Sequence, residues 1–440
     1  MNKKFKQDYN FIINKYEFSD KNYTNIYTNK NDIYVFLNDY DNMNVYSLYP
    51  EMITLQLKNK NIDLTKLFNN DNNIDKFKHR IKNMKNIFIK IKNKLDELEG
   101  KNKKNMEEYN KLKKKFEDKL IGKFFHYHIT DFLRDKLKTD KITNAWLKSY
   151  EIVHKFELIN KDINAFHICE LPGAFIFSIE HFCKTNNYKY NWIAQSLNPY
   201  NKINRENKKG MYLPDKYNIV KQNSKKYDFG KDDTGDITNI NNIKYYHEKY
   251  GKSKDLVTSD CGQDSSDDFY KQEKKLNKVY WSQFVCAIGL LKKGGNYFCK
   301  IFTIQTIKMI EYVFICSLLF EQVYITKPLT TRKNSGEIYL VCKNFLDINT
   351  DKYLEKFYDY IQNFDKTNII NLDLISEKFL DRINKCNEIM GKRRIININS
   401  LIFLINNMNF YTQYDEIKKY TDNIIKYYIN YFIQYYKIKY

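Results

Sequence analysis

Apolar residues recur along this chain with two different periods, and the change from one to the other marks its parts. From Ile74, the apolar positions Phe77, Ile81, Met84, Phe88, Ile91, Leu95 and Leu98 alternate spacings of three and four, tracing one face of a long helix closed by Gly100. Met106, Tyr109, Leu112 and Phe116 keep the same spacing, which predicts a second helix folding back on the first, a hairpin over about residues 74–120. Further along, short apolar runs at Ala165–Glu170, Tyr190–Leu197, Asp255–Asp260, Gly295–Phe302, Gln322–Lys327 and Glu337–Lys343 read as strands. Helices are expected between them, notably Asp268–Lys292 and Gln305–Phe320. Strands that alternate with helices predict an α/β fold with a parallel sheet and crossover connections. Past Phe345 the chain turns helical again, and its last helix places Ile417, Tyr420, Ile424, Tyr428, Tyr431 and Tyr435 near one face. Before the hairpin, Ile33–Leu37 and Ile53–Leu57 are short strand-like runs between Asn/Lys-rich turns.

Turn residues draw the same boundaries. Ten of 13 glycines and four of five prolines fall between Pro172 and Glu337, where short elements need frequent punctuation. The chain therefore divides into an N-terminal region (1–138), a central α/β domain (139–345) and a C-terminal helical region (346–440).

Charge changes the picture only in part. A net charge of +21 suits a polyanionic partner such as nucleic acid. Lys, Asn, Ile and Tyr dominate together, however, as in the product of an A+T-rich coding sequence, so basicity alone does not decide the matter. The eight cysteines form no C-x-x-C pair and several sit inside apolar runs, which favours a reducing compartment and argues against a zinc site or a disulfide framework. No metal is expected. The N-terminus lacks the apolar core of a signal peptide, and the run from Ile310 to Phe320 is interrupted by Glu311 and too short to span a bilayer. A soluble intracellular protein without a membrane partner is the expectation.

Candidate chemistry begins at Phe166-His-Ile-Cys-Glu-Leu-Pro-Gly-Ala-Phe175, a buried strand, a tight Pro172-Gly173 turn, then a helix through Ile176, Ile179 and Phe182. Such a turn is where α/β folds seat cofactors, because backbone N–H groups and the helix N-terminus favour negative charge there. Upstream, Trp146, Tyr150, Val153 and Phe156 share one helical face, and Lys148 lies off it. Three ionisable residues fall at or within apolar strands: Asp260, Lys300 and Glu337. An unpaired buried charge is costly; if the three strands are neighbours, the three residues meet near the C-terminal edge of the sheet and neutralise one another there. On geometry alone, a structural ion-pair network and a catalytic cluster are equally open.

Seven stretches carry a resemblance. They are Thr143-Asn-Ala-Trp-Leu-Lys148, Phe166 to Phe175, Leu197-Asn-Pro-Tyr200, Asp233-Thr-Gly-Asp-Ile237, Leu256-Val-Thr-Ser-Asp260, Gly294-Gly-Asn-Tyr-Phe-Cys-Lys-Ile-Phe302, and Lys327-Pro through Asn334-Ser-Gly-Glu-Ile-Tyr-Leu-Val-Cys342. In this order they resemble the FtsJ/RrmJ-like ribose 2′-O-methyltransferases, most closely the Adrift-type cap methyltransferases of metazoa and large DNA viruses. The resemblance implies a Rossmann-like sheet flanked by helices, S-adenosylmethionine as cofactor, and a Lys-Asp-Lys-Glu tetrad on Lys148, Asp260, Lys300 and Glu337. In that role Lys300 contacts the 2′-oxygen and accepts its proton. Free lysine titrates near ~10.4, so Lys148, burial and a cationic sulfonium must lower it against the opposing pull of Asp260 and Glu337.

The same resemblance places Pro172, Gly173, Ala174 and Phe175 around the methionine end of the cofactor and Asp236 at the adenine amino group. The second strand reaches Leu197-Asn198 without the carboxylate that many nucleotide-binding folds use for ribose hydroxyls, leaving Asn198 or a side chain near Trp192 to substitute. Gly336, directly before Glu337, stands where a side chain is expected. Capped mRNA is the implied partner, with a capping-machinery protein a second one through the N- or C-terminal helices. The compartment is the cytoplasm, that of a host for a viral protein, or the nucleus for a cellular one. An rRNA or tRNA ribose methyltransferase and a non-catalytic RNA-binding subunit are the alternatives.

Overall fold

The computed structural model describes residues 45–47, 74–81, 124–206, 214–262, 272–331, 335–348, 350–364, 369–387, 390, 429–430 and 432–440. Its centre is a seven-stranded sheet built from β1 (Val45–Ser47), β2 (Ile163–Ile168), β3 (Tyr190–Gln195), β4 (Lys254–Ser259), β5 (Leu291–Ile301), β6 (Phe320–Thr326) and β7 (Ile338–Phe345). The order across the sheet is β1-β6-β7-β5-β4-β2-β3. The helices that position the site are α1 (Ile74–Arg80), α2 (Phe124–Leu137), α3 (Asn144–Lys155), α4 (Ala174–Thr185), α5 (Ile240–Tyr250), α6 (Gln272–Leu290), α7 (Ile307–Leu319) and α8 (Thr350–Gln362). All six strands expected in the central domain form, with ends displaced by a few residues. The largest displacement is at β5, which begins at Leu291 directly after α6 instead of at Gly295.

The expected parallel sheet is corrected at one strand. Strands β3, β2, β4 and β5 pair in parallel, but β7 runs antiparallel to both β5 and β6. The link from Thr326 to Ile338 carries no helix among its described residues, and without a crossover helix the chain returns antiparallel beside β6. Strand β1, which the apolar pattern does not single out, pairs antiparallel with β6 through Val45 and Thr326. The runs Ile33–Leu37 and Ile53–Leu57 lie outside the described residues, as does the predicted hairpin beyond Ile81.

Side-chain alternation divides the interior in two. Phe166, Ile168, Val257, Tyr297, Cys299, Leu340 and Cys342 face a core shared with α5, α6, α7 and α8. Their neighbours Ala165, Leu256, Phe298, Tyr339 and Val341 face a second core with α3 and α4. A period of two feeding both faces is the behaviour of central strands covered by helices on each side. The strands are also tied through polar groups: buried His167 on β2 meets Thr258 Oγ1 at 2.7 Å and Tyr190 Oη at 2.5 Å. Burial holds this imidazole neutral, pushing it down to about 3.

The flanking regions pack on this centre. Phe77 and Ile81 join the first core together with Tyr353, Phe357, Ile361, Phe379 and Ile383. Arg80 anchors α1 by pairing with Glu377 at 2.5 Å and donating to the carbonyls of Leu372 and Ile375. In the last helix the packed residues are Phe432 and Tyr436, four apart, while Tyr435 is only half-buried. Tyr435, on the predicted stripe, packs against the edge of the same core, and its neighbour Tyr436 is drawn fully inward. Its hydroxyl lies 3.3 Å from Glu151 and its ring meets His154 edge-on at 5.5 Å. The earlier members of the stripe, Ile417, Tyr420, Ile424, Tyr428 and Tyr431, lie outside the described residues. Among the described residues, no helix is long and apolar enough to cross a membrane.

Candidate active site

Three neighbouring strands deliver charged side chains to one edge of the sheet. Asp260 follows the C-terminal end of β4, and Lys300 lies one residue before the end of β5. Because β7 is antiparallel, its beginning meets that same edge: Ile338 pairs with Ile301 and Tyr339 with Lys300, placing Glu337 just beyond them. The fourth member comes from α3. Thr143 caps this helix by accepting the Trp146 N–H at 3.2 Å, and Trp146, Tyr150 and Val153 are buried in the second core. Lys148, off that face as its position predicts, reaches Glu337 with Nζ–Oε1 2.5 Å. Lys300 Nζ pairs with Asp260 Oδ1 at 2.7 Å. The side chains of Lys148, Glu337, Lys300 and Asp260 are only 8, 16, 16 and 18% exposed. All four predicted members are brought together as two close ion pairs.

Electrostatics in this cluster run one way. Burial by itself would lower the Lys300 ammonium, but Asp260 and then Glu337 outweigh it and hold the group above the ordinary lysine range. Burial would raise the Glu337 carboxyl; Lys148 first and then Lys300 overcome this and hold it down at about 2. The carboxylates therefore win the contest that the residue types leave open, and Lys300 is an ammonium in this form. Glu337 also accepts the Tyr339 hydroxyl at 3.0 Å. Lys327 stiffens the approach to β7 by donating to the carbonyls of Ser335 at 2.7 Å and Glu337 at 3.1 Å.

The Pro172-Gly173 turn lies at the end of β2, two strands from Lys300. Gly173 caps α4 with φ +93°, and a Cβ there would sit 2.5 Å from Ile219 Cδ1 and 3.2 Å from Phe177. Pro172 is half-buried, Ala174 is buried, and Phe175 is fully buried against Phe298 with ring centroids 5.3 Å apart. Phe175 thus serves the turn through its backbone and the core through its ring, a burial that contributes about 1.5–3 kcal/mol. Its N–H donates to Glu170 Oε1 at 2.8 Å. The other oxygen of Glu170 is buried with no hydrogen-bond partner. Burial, and then the charge of Asp260, push this carboxyl well above the ordinary range, while the Phe175 N–H and Lys300 pull it back.

Of the remaining predicted cofactor residues, Asn198 and Asp236 lie together and Trp192 does not join them. Asn198 ties two chain segments: its backbone N–H donates to Thr234 O at 2.9 Å and its side-chain amide to Asp233 O at 3.0 Å. Asp236 Oδ1 accepts both the N–H and the hydroxyl of Thr238 at 2.8 Å, which caps the approach to α5. Gly235 makes the crossing possible, since a Cβ there would lie 1.8 Å from the Ser196 carbonyl oxygen. Trp192 pairs with Ala165 in the body of β3 and packs edge-on to Tyr227 at 5.9 Å, with Lys226 Nζ 4.6 Å above its ring. It is a core residue three positions short of the strand end.

Two residues that the sequence reading does not single out hold the site together. Gln195, fully buried at the end of β3, donates to Gly235 O and accepts the Cys169 N–H at 3.1 Å. It joins the turn after β2 to the Asp233–Ile237 loop. Glu273 accepts the Thr306 N–H at 2.7 Å, the Gln305 N–H at 3.0 Å and the Thr303 hydroxyl, fixing the loop that follows Lys300. A polar residue closing an apolar strand is the signal for Gln195; Glu273 sits on a helix and offers none.

The FtsJ-like methyltransferase family model matches residues 142–345. The chain is 30% identical over 222 residues to the cap-specific mRNA (nucleoside-2′-O-)-methyltransferase 2 of Drosophila melanogaster, covering 48% of this chain and 31% of that protein. It is 32% identical over 239 residues to the probable methyltransferase EP424R of African swine fever virus, covering 53% of this chain and 56% of that one. The match thus spans from about a third to a little over half the length of these curated relatives. A solved structure titled as a putative ribosomal RNA methyltransferase from Plasmodium falciparum aligns with a TM-score of 0.32 and 23% identity, over 46% of this chain and 98% of that one.

Proposed function

We propose that this chain transfers a methyl group from S-adenosylmethionine to a ribose 2′-oxygen near the capped end of messenger RNA, a reading supported by the match of residues 142–345 to the FtsJ-like methyltransferase family model. The observation that carries the proposal is the convergence of Lys148–Glu337 and Lys300–Asp260 at the sheet edge, two strands from a buried carboxylate with an unpartnered oxygen. The cap as target rests on the names of the relatives in Drosophila and African swine fever virus.

The residues at the turn fit the cofactor. Glu170 Oε2 is buried and unpartnered, and a cationic amino-acid group against it would restore a charge that burial disfavours. Pro172, Gly173, Ala174 and the Phe175 backbone would hold the methionine end, with Asp236 and Asn198 toward the adenosine. When bound, S-adenosylmethionine supplies a methyl group on a cationic sulfur. The protein's own task is alignment and proton handling, since in-line displacement needs reacting groups held at close range.

Lys300 is the residue assigned to the 2′-oxygen. As an ammonium it donates to that oxygen and fixes its position; to accept the hydroxyl proton it must first release one. Burial favours that release, the two carboxylates oppose it, and a cation seated at the turn adds to the favourable side. Lys148 acts on Lys300 through Glu337, drawing the shared carboxylate toward itself. Asp260 keeps the amine on axis.

The test is transfer of labelled methyl from S-adenosylmethionine to RNAs with and without a methylated guanosine cap. Cap-dependent labelling of the ribose, abolished in Lys300→Ala while cofactor binding survives in calorimetry, is the expected result. Full turnover by that variant overturns the assignment of Lys300. Labelling only of uncapped structured RNA moves the substrate to rRNA or tRNA, and binding without labelling leaves a non-catalytic RNA-binding protein.

A further inference from the structure

A strip of cations and aromatic rings beside the cofactor turn takes no part in the chemistry above. The segment from Asp215 to Ile219 lies against the turn, with Ile219 filling the space beside Gly173. The Tyr217 ring meets Phe177 of α4 edge-on at 5.9 Å, and its hydroxyl donates to the Asp140 carbonyl at 3.3 Å. Lys141 Nζ lies 4.5 Å from the Phe177 ring and Lys216 Nζ 5.3 Å from that of Tyr217. Asp215 carries the strip onward: Oδ1 accepts the Val220 N–H at 3.2 Å, and Oδ2 accepts the Tyr200 hydroxyl at 2.8 Å and the Lys221 N–H at 3.2 Å. Tyr200 is 40% exposed and is flanked by the Arg205 guanidinium at 5.7 Å and the Lys221 ammonium at 5.6 Å.

Four cations thus line the strip, Arg205 with its Nε donating to the Pro199 carbonyl at 3.0 Å, while the Asp215 carboxylate among them is occupied by three donors. Positive groups interleaved with a solvent-facing ring suit a ligand that alternates anions with flat apolar faces. A single nucleic-acid strand has that chemistry: phosphates take the cations and a base stacks on the ring, without sequence preference. The strip borders the Pro172-Gly173 turn, so it continues the sheet edge that carries the tetrad.

We propose that this strip binds the single-stranded RNA leading away from the methylated nucleotide, with Lys141, Arg205, Lys216 and Lys221 meeting phosphates and Tyr200 stacking a base. This rests on the reading of the tetrad as an RNA ribose methyltransferase site, and it adds where the rest of the substrate lies.

The experiment uses the full chain and a fluorescein-labelled unstructured RNA, measured by anisotropy over a salt series. Each phosphate contact contributes about 0.7 to the slope of log affinity against log salt for a single strand, so replacing all four cations by glutamine should flatten the slope by about 3. Tyr200→Ala should weaken binding about 5- to 150-fold with little change in slope, as loss of one stacked base would. Both variants should raise KM for a long RNA, leave kcat near wild type, and bind S-adenosylmethionine as wild type does, which also reports an intact fold. Wild-type affinity and slope in the four-cation variant, with methyl transfer intact, overturn the strip and leave the tetrad reading standing. A wild-type chain that neither binds nor methylates RNA overturns the tetrad reading itself. If polyglutamate binding is lost in the four-cation variant while RNA binding is not, the strip belongs to an acidic protein partner and the proposal fails.

Discussion

Replacing Glu337 by glutamine keeps the volume of the side chain and removes the one negative charge that both lysines share. Its carboxyl, ordinarily near 4.5, is held at about 2 in the folded protein, chiefly by Lys148 against the opposing effect of burial. That difference corresponds to about 3 kcal/mol of folding stability. The folded value lies below the unfolded one, so the stabilisation is complete above about pH 4.5 and is lost as pH falls through about 2. Denaturant unfolding of wild type and Glu337→Gln at steps from pH 7 to pH 3 should show wild type ahead by about 3 kcal/mol at neutral pH, a gap that narrows as the medium becomes acid. A gap that stays constant over that range would falsify the ion pair as its cause. The same substitution bears on catalysis, because Glu337 is second only to Asp260 in holding the Lys300 ammonium. In the variant the rising limb of the rate against pH should move to lower pH. Its maximum should fall, because Lys148 is left buried without its 2.5 Å partner. A limb that does not move separates Glu337 from the protonation of Lys300.

Other sites give sharper structural outcomes. Gly235→Ala places a methyl 1.8 Å from the Ser196 carbonyl oxygen at a φ of +68°, so the loop bearing Asp236 must shift, and calorimetry should show weakened cofactor affinity together with a lowered melting temperature. Burial pushes the Glu311 carboxyl up to about 8, against Lys308 and the N–H groups of Ile370 and Ile369. The folded value is above the unfolded one, so wild type loses stability as pH rises from about 4.5 to 8, and Glu311→Gln should overtake it by at least about 2 kcal/mol at pH 8 while matching it near pH 4. Equal pH dependence of the two proteins contradicts this. Glu151 accepts the Leu329 N–H at 2.6 Å, the Thr330 N–H at 3.1 Å, the Thr330 hydroxyl and the Tyr436 hydroxyl at 3.3 Å, so Glu151→Ala should cost about 3 kcal/mol in unfolding experiments by orphaning these buried donors.

What the chain makes legible before any coordinates is whatever depends on local period. Alternation along β2, β4 and β7 feeds two cores, and the turn at Pro172-Gly173 and the off-face position of Lys148 follow from spacing alone. Residues whose work lies in a distant partner are not legible in that way. Gln195 looks like a polar flaw in an apolar strand until Cys169, 26 positions earlier, and Gly235, 40 positions later, stand on either side of it. Nothing local marks Trp192 as a core residue, because Tyr227, which packs edge-on against it, is distant in sequence. The protonation of Lys300 is hidden for the same reason, since it is a balance among groups from three strands and a helix.

Strand direction is the case with the largest consequence. An apolar run has no sign, and Glu337 opens its run as Asp260 closes its own. Had all the strands run in parallel, the start of β7 would lie at the opposite edge of the sheet. The eight residues of β7, at about 3.3 Å each, put that edge roughly 26 Å away. Lys148 would then be buried without a carboxylate and Lys300 would keep Asp260 alone. The reversal of β7 is what carries Glu337 to within 2.5 Å of Lys148 and lets one carboxylate bias both lysines. The Pro172-Gly173 turn and all four charged residues thus share an edge because one strand runs backwards. A longer, helix-forming insertion in the link from Thr326 to Ile338, which would permit a parallel return, should therefore abolish methyl transfer even with all four residues retained.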